Sequence, residues 1–89
     1  MTDEEFLAAA ARGDTDAIKA ALDDGVGPDT QDAYGNSALM MAAARGQRDV
    51  CRALIDAGAK TTHKNKYGLG PGNWVDWAED GKAIRNMLG

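Results

Sequence analysis

The chain has 89 residues, 44% hydrophobic, 27% charged and 6% aromatic, with a net charge of −4 at pH 7. That length holds one domain, the apolar content excludes a disordered chain, and no apolar run approaches the ~20 residues that span a bilayer. A single cysteine, Cys51, and a single histidine, His63, exclude an internal disulfide and a cysteine or histidine metal cluster.

The chain opens on acids. Met1-Thr2-Asp3-Glu4-Glu5 is acidic where an export signal would be basic, so a reducing, cytoplasmic location is expected. Thr2 and Glu5 have the spacing of a capping box, which opens the first helix. Leu7 to Ala11 is an Ala-rich run, and Arg12-Gly13 closes it. Residues 1–32 carry nine acids against Arg12 and Lys19, a balance of −7.

In the middle of the chain, Ser37 suits a helix N-cap, because its hydroxyl can accept from the free N–H groups of the first turn. Leu39, Met40, Met41, Ala42 and Ala43 then form a short helix with a small-residue face, and Gly46 ends it in the left-handed conformation. A second helix is expected over about 49–57, with Val50, Cys51, Leu54 and Ile55 on one side at spacings of three and four. Gly58 ends that helix. Residues 59–68 are too polar and irregular for another. Residues 45–66 are also the basic part of the chain: Arg45, Arg48, Arg52, Lys60, Lys64 and Lys66 face only Asp49 and Asp56, a balance of +4. An acidic chain overall is a poor candidate for nucleic-acid binding, which phosphate neutralisation drives.

The final segment differs again. Gly68-Leu-Gly70-Pro-Gly72 leads to Asn73-Trp74-Val75-Asp76-Trp77-Ala78, then Gly81 and a short helix over 82–88. Trp74, Val75, Trp77, Ala78, Ile84, Met87 and Leu88 are expected to form the core of a C-terminal cap.

These segments are copies of one unit. At an offset of 33, Gly13 returns as Gly46, Gly25 as Gly58, Gly35 as Gly68, Asp32 as Asn65 and Tyr34 as Tyr67. Ala9-Ala10 returns as Ala42-Ala43, Arg12 as Arg45, Ala21 as Leu54 and Leu22 as Ile55. So many positions in one register mark an internal repeat. Each unit reads as helix, tight turn, helix and extended loop, and its apolar face can be buried only by stacking on a neighbour.

The stretch Asp32-Ala-Tyr-Gly35-Asn-Ser-Ala-Leu39-Met-Met-Ala42-Ala43-Ala-Arg-Gly46, followed by Val50-Cys51, Leu54-Ile55 and Gly58-Ala59, resembles an ankyrin repeat. Ser37 stands where that family usually has Thr, Ala38 where it has Pro, and Met40 where it has His. Loss of that His removes hydrogen bonds between neighbouring hairpins, so looser loops are expected. The resemblance implies an all-α fold, a short ankyrin-type solenoid of stacked helix-turn-helix repeats joined by hairpin loops. Residues 1–31 would be an N-terminal capping repeat without its leading hairpin, 32–64 a full repeat, and 65–89 a degenerate C-terminal capping repeat. About three repeats are the usual minimum for such a stack, so stability near the bottom of the usual ~5–15 kcal/mol is expected.

No enzyme is legible. His63 lacks a nucleophile or carboxylate partner and reads as an exposed loop residue. Cys51 reads as a buried small hydrophobe. The glycine-rich stretch at 68–72 has no Lys-Ser or Lys-Thr after it and reads as a turn rather than a phosphate cradle. Asp23-Asp24 and Glu79-Asp80 read as solvated surface, Met40-Met41 as core packing. No catalytic residue, metal ligand or cofactor is expected.

What the resemblance implies is a protein-binding module that docks partners on hairpin tips and on the concave face of the first helices. Carried over position by position, the exposed sites are Ala33, Tyr34, Asn36, Ala44 and Arg45. Their equivalents are Ala11 and Arg12 on one side and Lys66, Tyr67 and Leu69 on the other. Tyr and Arg most often dominate binding energy, so Tyr34, Tyr67, Arg12 and Arg45 are expected to line one groove and favour a partner with an acidic patch. The alternatives are a self-associating structural repeat that forms weak homo-oligomers, and a weak nucleic-acid binder using the basic middle segment.

Overall fold

A computed structural model describes residues 1–70 together with Ile84, Asn86 and Leu88. Its elements are α1 (Asp3–Arg12), α2 (Thr15–Asp23), α3 (Ala38–Ala44) and α4 (Arg48–Asp56). The described part is all helix and loop, save one isolated antiparallel bridge between Gln31 and Ser37 that closes a hairpin. Ile84, Asn86 and Leu88 are also helical. Trp74, Val75, Trp77, Ala78 and Met87, expected in the core of a C-terminal cap, lie outside the described residues.

Helix starts follow from local chemistry. The capping box is present: Thr2 Oγ1 accepts from the Glu5 amide and Glu5 Oε1 from the Thr2 amide, both at 3.2 Å. Asp14 caps α2 by accepting from the Ala17 amide at 3.2 Å, and Ser37 caps α3 by accepting from the Met40 amide at 3.2 Å. Ala38 is the first residue of α3, the position at which proline is also tolerated because the N–H there has no helical partner.

Helix ends show the repeat most directly. After α1, the Gly13 and Asp14 amides bond to the Ala10 and Ala9 carbonyls; after α3, Gly46 and Gln47 bond to Ala43 and Ala42 in the same way. The pattern recurs after α2, from Gly25 and Val26 to Leu22 and Ala21, and after α4, from Gly58 and Ala59 to Ile55 and Leu54. Each is a Schellman closure, which needs a left-handed residue that glycine adopts without steric cost. The φ angles match across the offset, +81° and +70° for Gly13 and Gly46 and +96° for both Gly25 and Gly58. Two sequence copies thus become two geometric copies.

First helices stack on first helices and second on second: α1 packs on α3, α2 on α4, and each pair also packs within its own repeat. Phe6, Leu7, Ala9 and Ala10 of α1 meet a layer containing Ala38, Leu39, Ala42 and Ala43 of α3. The alanines permit close helix approach, while Phe6 and Leu39, both fully buried, supply the bulk. Burying a side chain of that size contributes about 1.5–3 kcal/mol. Ile18 and Ala21 of α2 and Val50, Cys51 and Leu54 of α4 complete the core, with Ile55 half-buried against it. Ile84 is fully buried in that core and Leu88 packs against it.

Candidate interaction surface

Two consecutive hairpins carry the exposed loop residues, and a carboxyl or carboxamide organises each. Asp32 Oδ1 accepts from the Tyr34 and Asn36 amides at 2.9 Å, and Asp32 Oδ2 accepts from Asn36 Nδ2 at 3.3 Å. One repeat later, Asn65 Oδ1 accepts from the Tyr67 amide at 2.9 Å and the Leu69 amide at 3.0 Å. Partial desolvation pushes the Asp32 pKa up, but the Asn36 and Tyr34 amides and the Asn36 side chain outweigh it and hold the carboxyl below its ordinary value.

The loops are cross-tied, contrary to the looser arrangement that Met40 in place of His leads one to expect. The Lys66 amide donates to the Tyr34 carbonyl at 2.9 Å, the Lys60 amide to Asp29 Oδ1 at 2.7 Å, and Asn65 Nδ2 to Asn36 Oδ1 at 2.8 Å. His63 is only half-buried yet not idle: its Nε2 lies 3.0 Å from both Gln31 Oε1 and the Gly35 carbonyl. A carbonyl can only accept, so Nε2 carries the hydrogen and donates. These ties join residues 28 to 32 apart in the chain, and no helical period or family position shows which of them meet.

On this frame, Tyr34 is 57% exposed and Tyr67 70% exposed. Apart from Met1, they are the only large apolar side chains exposed among the described residues. Ala33 and Lys66 are exposed beside them, and Leu69 is half-buried.

A groove of about 260 Å3 runs between the first helices, lined by Ala11, Asn36, Met40, Met41, Ala44 and Arg45. It gathers four of the expected site residues, Ala11, Asn36, Ala44 and Arg45. It does not take in Ala33, Tyr34, Lys66, Tyr67 or Leu69 of the hairpins. Arg12 is held elsewhere, its Nη2 3.1 Å from Asp14 Oδ2. Of the four residues expected to line one groove, only Arg45 does so.

Met40 and Met41 read from the sequence as core; both also border the groove. Met40 is fully buried and only backs the groove, while Met41, half-buried against the core, also faces it. The signal that could have found them is the pair of alanines, Ala11 and Ala44, at one repeat position, which leaves room above the methionines. The chain gives no sign of the role of Gln47 either. It stands one repeat after Asp14 but makes no cap; its Nε2 donates to the Ala11 carbonyl at 3.0 Å and so ties α1 to the second repeat.

A depression on the outer side, between α2 and α4, is larger at about 340 Å3, but its lining includes Lys19, Asp23 and Asp56. Mixed charge of that kind defines no single partner chemistry. The Cys51 thiol is sealed in the core, and desolvation by burial pushes its pKa up to about 12. It is neither nucleophile nor ligand at neutral pH. Among the described residues no helix is long and apolar enough to cross a membrane.

Helix pairs in one 33-residue register, stacked first on first and second on second with hairpins projecting between them, define a helical repeat solenoid. The chain belongs to the ankyrin repeat family: the family model described as ankyrin repeats (3 copies) matches residues 4–68. The match ends at the glycine after which the 33-residue register is lost. No curated protein matches the chain. Ankyrin repeats generally mediate protein–protein contacts and are typically not enzymes.

Proposed function

We propose that this chain is a cytoplasmic, non-enzymatic adaptor or inhibitor module that acts by occupying the surface of a partner protein. Residues 32–64 serve as the full repeat in this reading, between capping units at 1–31 and 65–89. The partner is contacted by the hairpin tips through Ala33, Tyr34, Lys66, Tyr67 and Leu69, and by the concave face through Ala11, Asn36, Ala44 and Arg45. Arg12 flanks that face.

The observation that carries the reading is the pair of exposed tyrosines. Exposing large apolar side chains offers a monomer no folding advantage, and here two occupy the same position of consecutive hairpins. The Lys66–Tyr34 and Asn65–Asn36 bonds hold those tips in register. A rigid aromatic loses little conformational freedom when a partner covers it, which is why tyrosine recurs at energetically dominant contacts.

The test compares capture from a lysate of the source cell by the native chain and by a Tyr34→Ala/Arg45→Glu/Tyr67→Ala variant shown to be folded. A protein retained by the native chain and lost by the variant supports the reading. Equal retention moves the contact to the outer face or the C-terminal cap. Growth in size with concentration, in the absence of any partner, favours self-association instead.

A further inference from the structure

The repeat contains its own control for one charge. In the first unit Arg12 is paired with Asp14 two residues on. In the second, the equivalent of Arg12 is Arg45 and the equivalent of Asp14 is Gln47, whose amide is turned away to the Ala11 carbonyl. Arg45 is exposed, and among the described residues it takes part in no ion pair. The same fold position thus presents a neutralised guanidinium in one repeat and a free one in the next, and the free one lines the groove.

The rest of the groove is apolar or already satisfied. Met41, Ala11 and Ala44, all half-buried, provide its apolar surface, with the fully buried Met40 behind them. Asn36 has its oxygen bonded to Asn65 and its nitrogen to Asp32. At about 260 Å3 the volume falls below the roughly 300–1,000 Å3 of small-molecule sites, and it suits one or two apolar side chains of a peptide. Asn36 precedes α3 and Arg45 follows it, so the groove runs along a seven-residue helix, roughly 10 Å. An extended segment covers that length in about three residues.

We infer that the groove takes an internal segment of a partner protein in which a large apolar side chain lies against Met41, Ala11 and Ala44 and a carboxylate about two residues away pairs with Arg45. This rests on the protein-binding reading and adds the chemistry of what is bound. The Met41 thioether adapts to apolar side chains of varied shape, so the apolar residue is specified by size and the acid by charge.

The probe is the blocked peptide acetyl-Leu-Gly-Glu-amide, titrated into 15N- and methionine-methyl-labelled protein at low ionic strength. Shifts are expected at Ala11, Met40, Met41, Ala44 and Arg45. The Gln twin of the peptide should bind about three- to fivefold more weakly, the scale of one exposed ion pair. Gln47→Asp, which supplies Arg45 with the carboxylate that Asp14 supplies to Arg12, should remove that preference while leaving the guanidinium in place. Arg45→Gln should do the same, and Ala44→Leu, which fills the groove, should abolish binding of both peptides. Equal affinity for the Glu and Gln peptides, or shifts confined to other surfaces, overturns the inference. Tighter binding of acetyl-Gly-Leu with a free terminal carboxylate would assign the groove to a chain end and also overturn it. If the peptides fail while capture of a partner still depends on Tyr34 and Tyr67, the interaction module stands and only the groove chemistry falls.

Discussion

Gly35 and Gly68 occupy the same hairpin position, with φ angles of +80° and +77°, but in different surroundings. A side chain at either position incurs the left-handed penalty of roughly 1–2 kcal/mol. At Gly35 a Cβ would also lie 3.1 Å from Asn65 Cα and 3.2 Å from the Lys66 amide nitrogen, whereas at Gly68 nothing lies within 4 Å among the described residues. Both close atoms are backbone of the next hairpin, so they yield only if that hairpin moves. Moving it strains the His63–Gly35 and Lys66–Tyr34 bonds, each with a net contribution of about 1 kcal/mol. Gly35→Ala should therefore destabilise by about 2–4 kcal/mol, and Gly68→Ala by about 1–2 kcal/mol, the common backbone term alone. Urea unfolding followed by far-ultraviolet circular dichroism measures this. With a slope of about 1 kcal/mol per molar, the two midpoints should differ by about 1–2 M. Equal midpoints would refute the claim that close contact between hairpins, rather than backbone conformation, sets the difference.

Ser37→Ala removes the α3 cap and should cost about 1 kcal/mol by the same unfolding assay, with Ser37→Thr, which keeps the capping hydroxyl without burying a charge, retaining most of it. Glu5, Asp14 and Asp32 all have folded pKa values below their ordinary ones. Their stabilisation is complete above about pH 5 and is lost as pH falls through the lowered values, so the urea midpoint should drop between pH 5 and pH 2. Asp32→Asn copies the residue that Asn65 supplies in the next hairpin; it should hold stability at pH 7 within about 1 kcal/mol and make the acid fall shallower, and an unchanged acid profile would show that Asp32 is not a source of it. Cys51, with its pKa raised to about 12, should resist a thiol-reactive disulfide reagent in the native state and react in step with unfolding in urea. Because the folded state keeps the thiol proton while the unfolded chain loses it above about pH 9, stability should also decline at alkaline pH, and Cys51→Ala should remove that part of the decline.

Much of the fold can be read from the chain alone, because it depends on local chemistry and on periodicity. Thr2 with Glu5, and Ser37, specify helix starts through their own side-chain oxygens, and the glycines at 13, 25, 46 and 58 specify helix ends through a conformation other residues adopt only at a cost. The 33-residue register pairs these signals into units, and apolar spacing in each unit shows which faces must be buried against a neighbour. Val50, Cys51 and Leu54 are buried as that spacing requires, and α4 begins one residue earlier than expected.

The candidate surface is less legible, since it depends on which loop atoms meet across repeats. Two residues at one repeat position can share a backbone geometry and differ wholly in partner: Arg12 meets Asp14, while Arg45 stands free because Gln47 reaches back to Ala11. His63, without a local partner in sequence, finds the Gly35 carbonyl only after stacking brings residues 28 apart within 3.0 Å. Met41 is core by period and groove wall by tertiary packing, because a helix buried between layers has neighbours on more than one side. The repeat and its helix signals, among them the Thr2–Glu5 box and the Ser37 cap, are legible in the chain because each energy term there lies within a few residues of its partner. Which side chains remain free to meet another protein follows from stacking, because it depends on contacts between units that no spacing along the chain encodes.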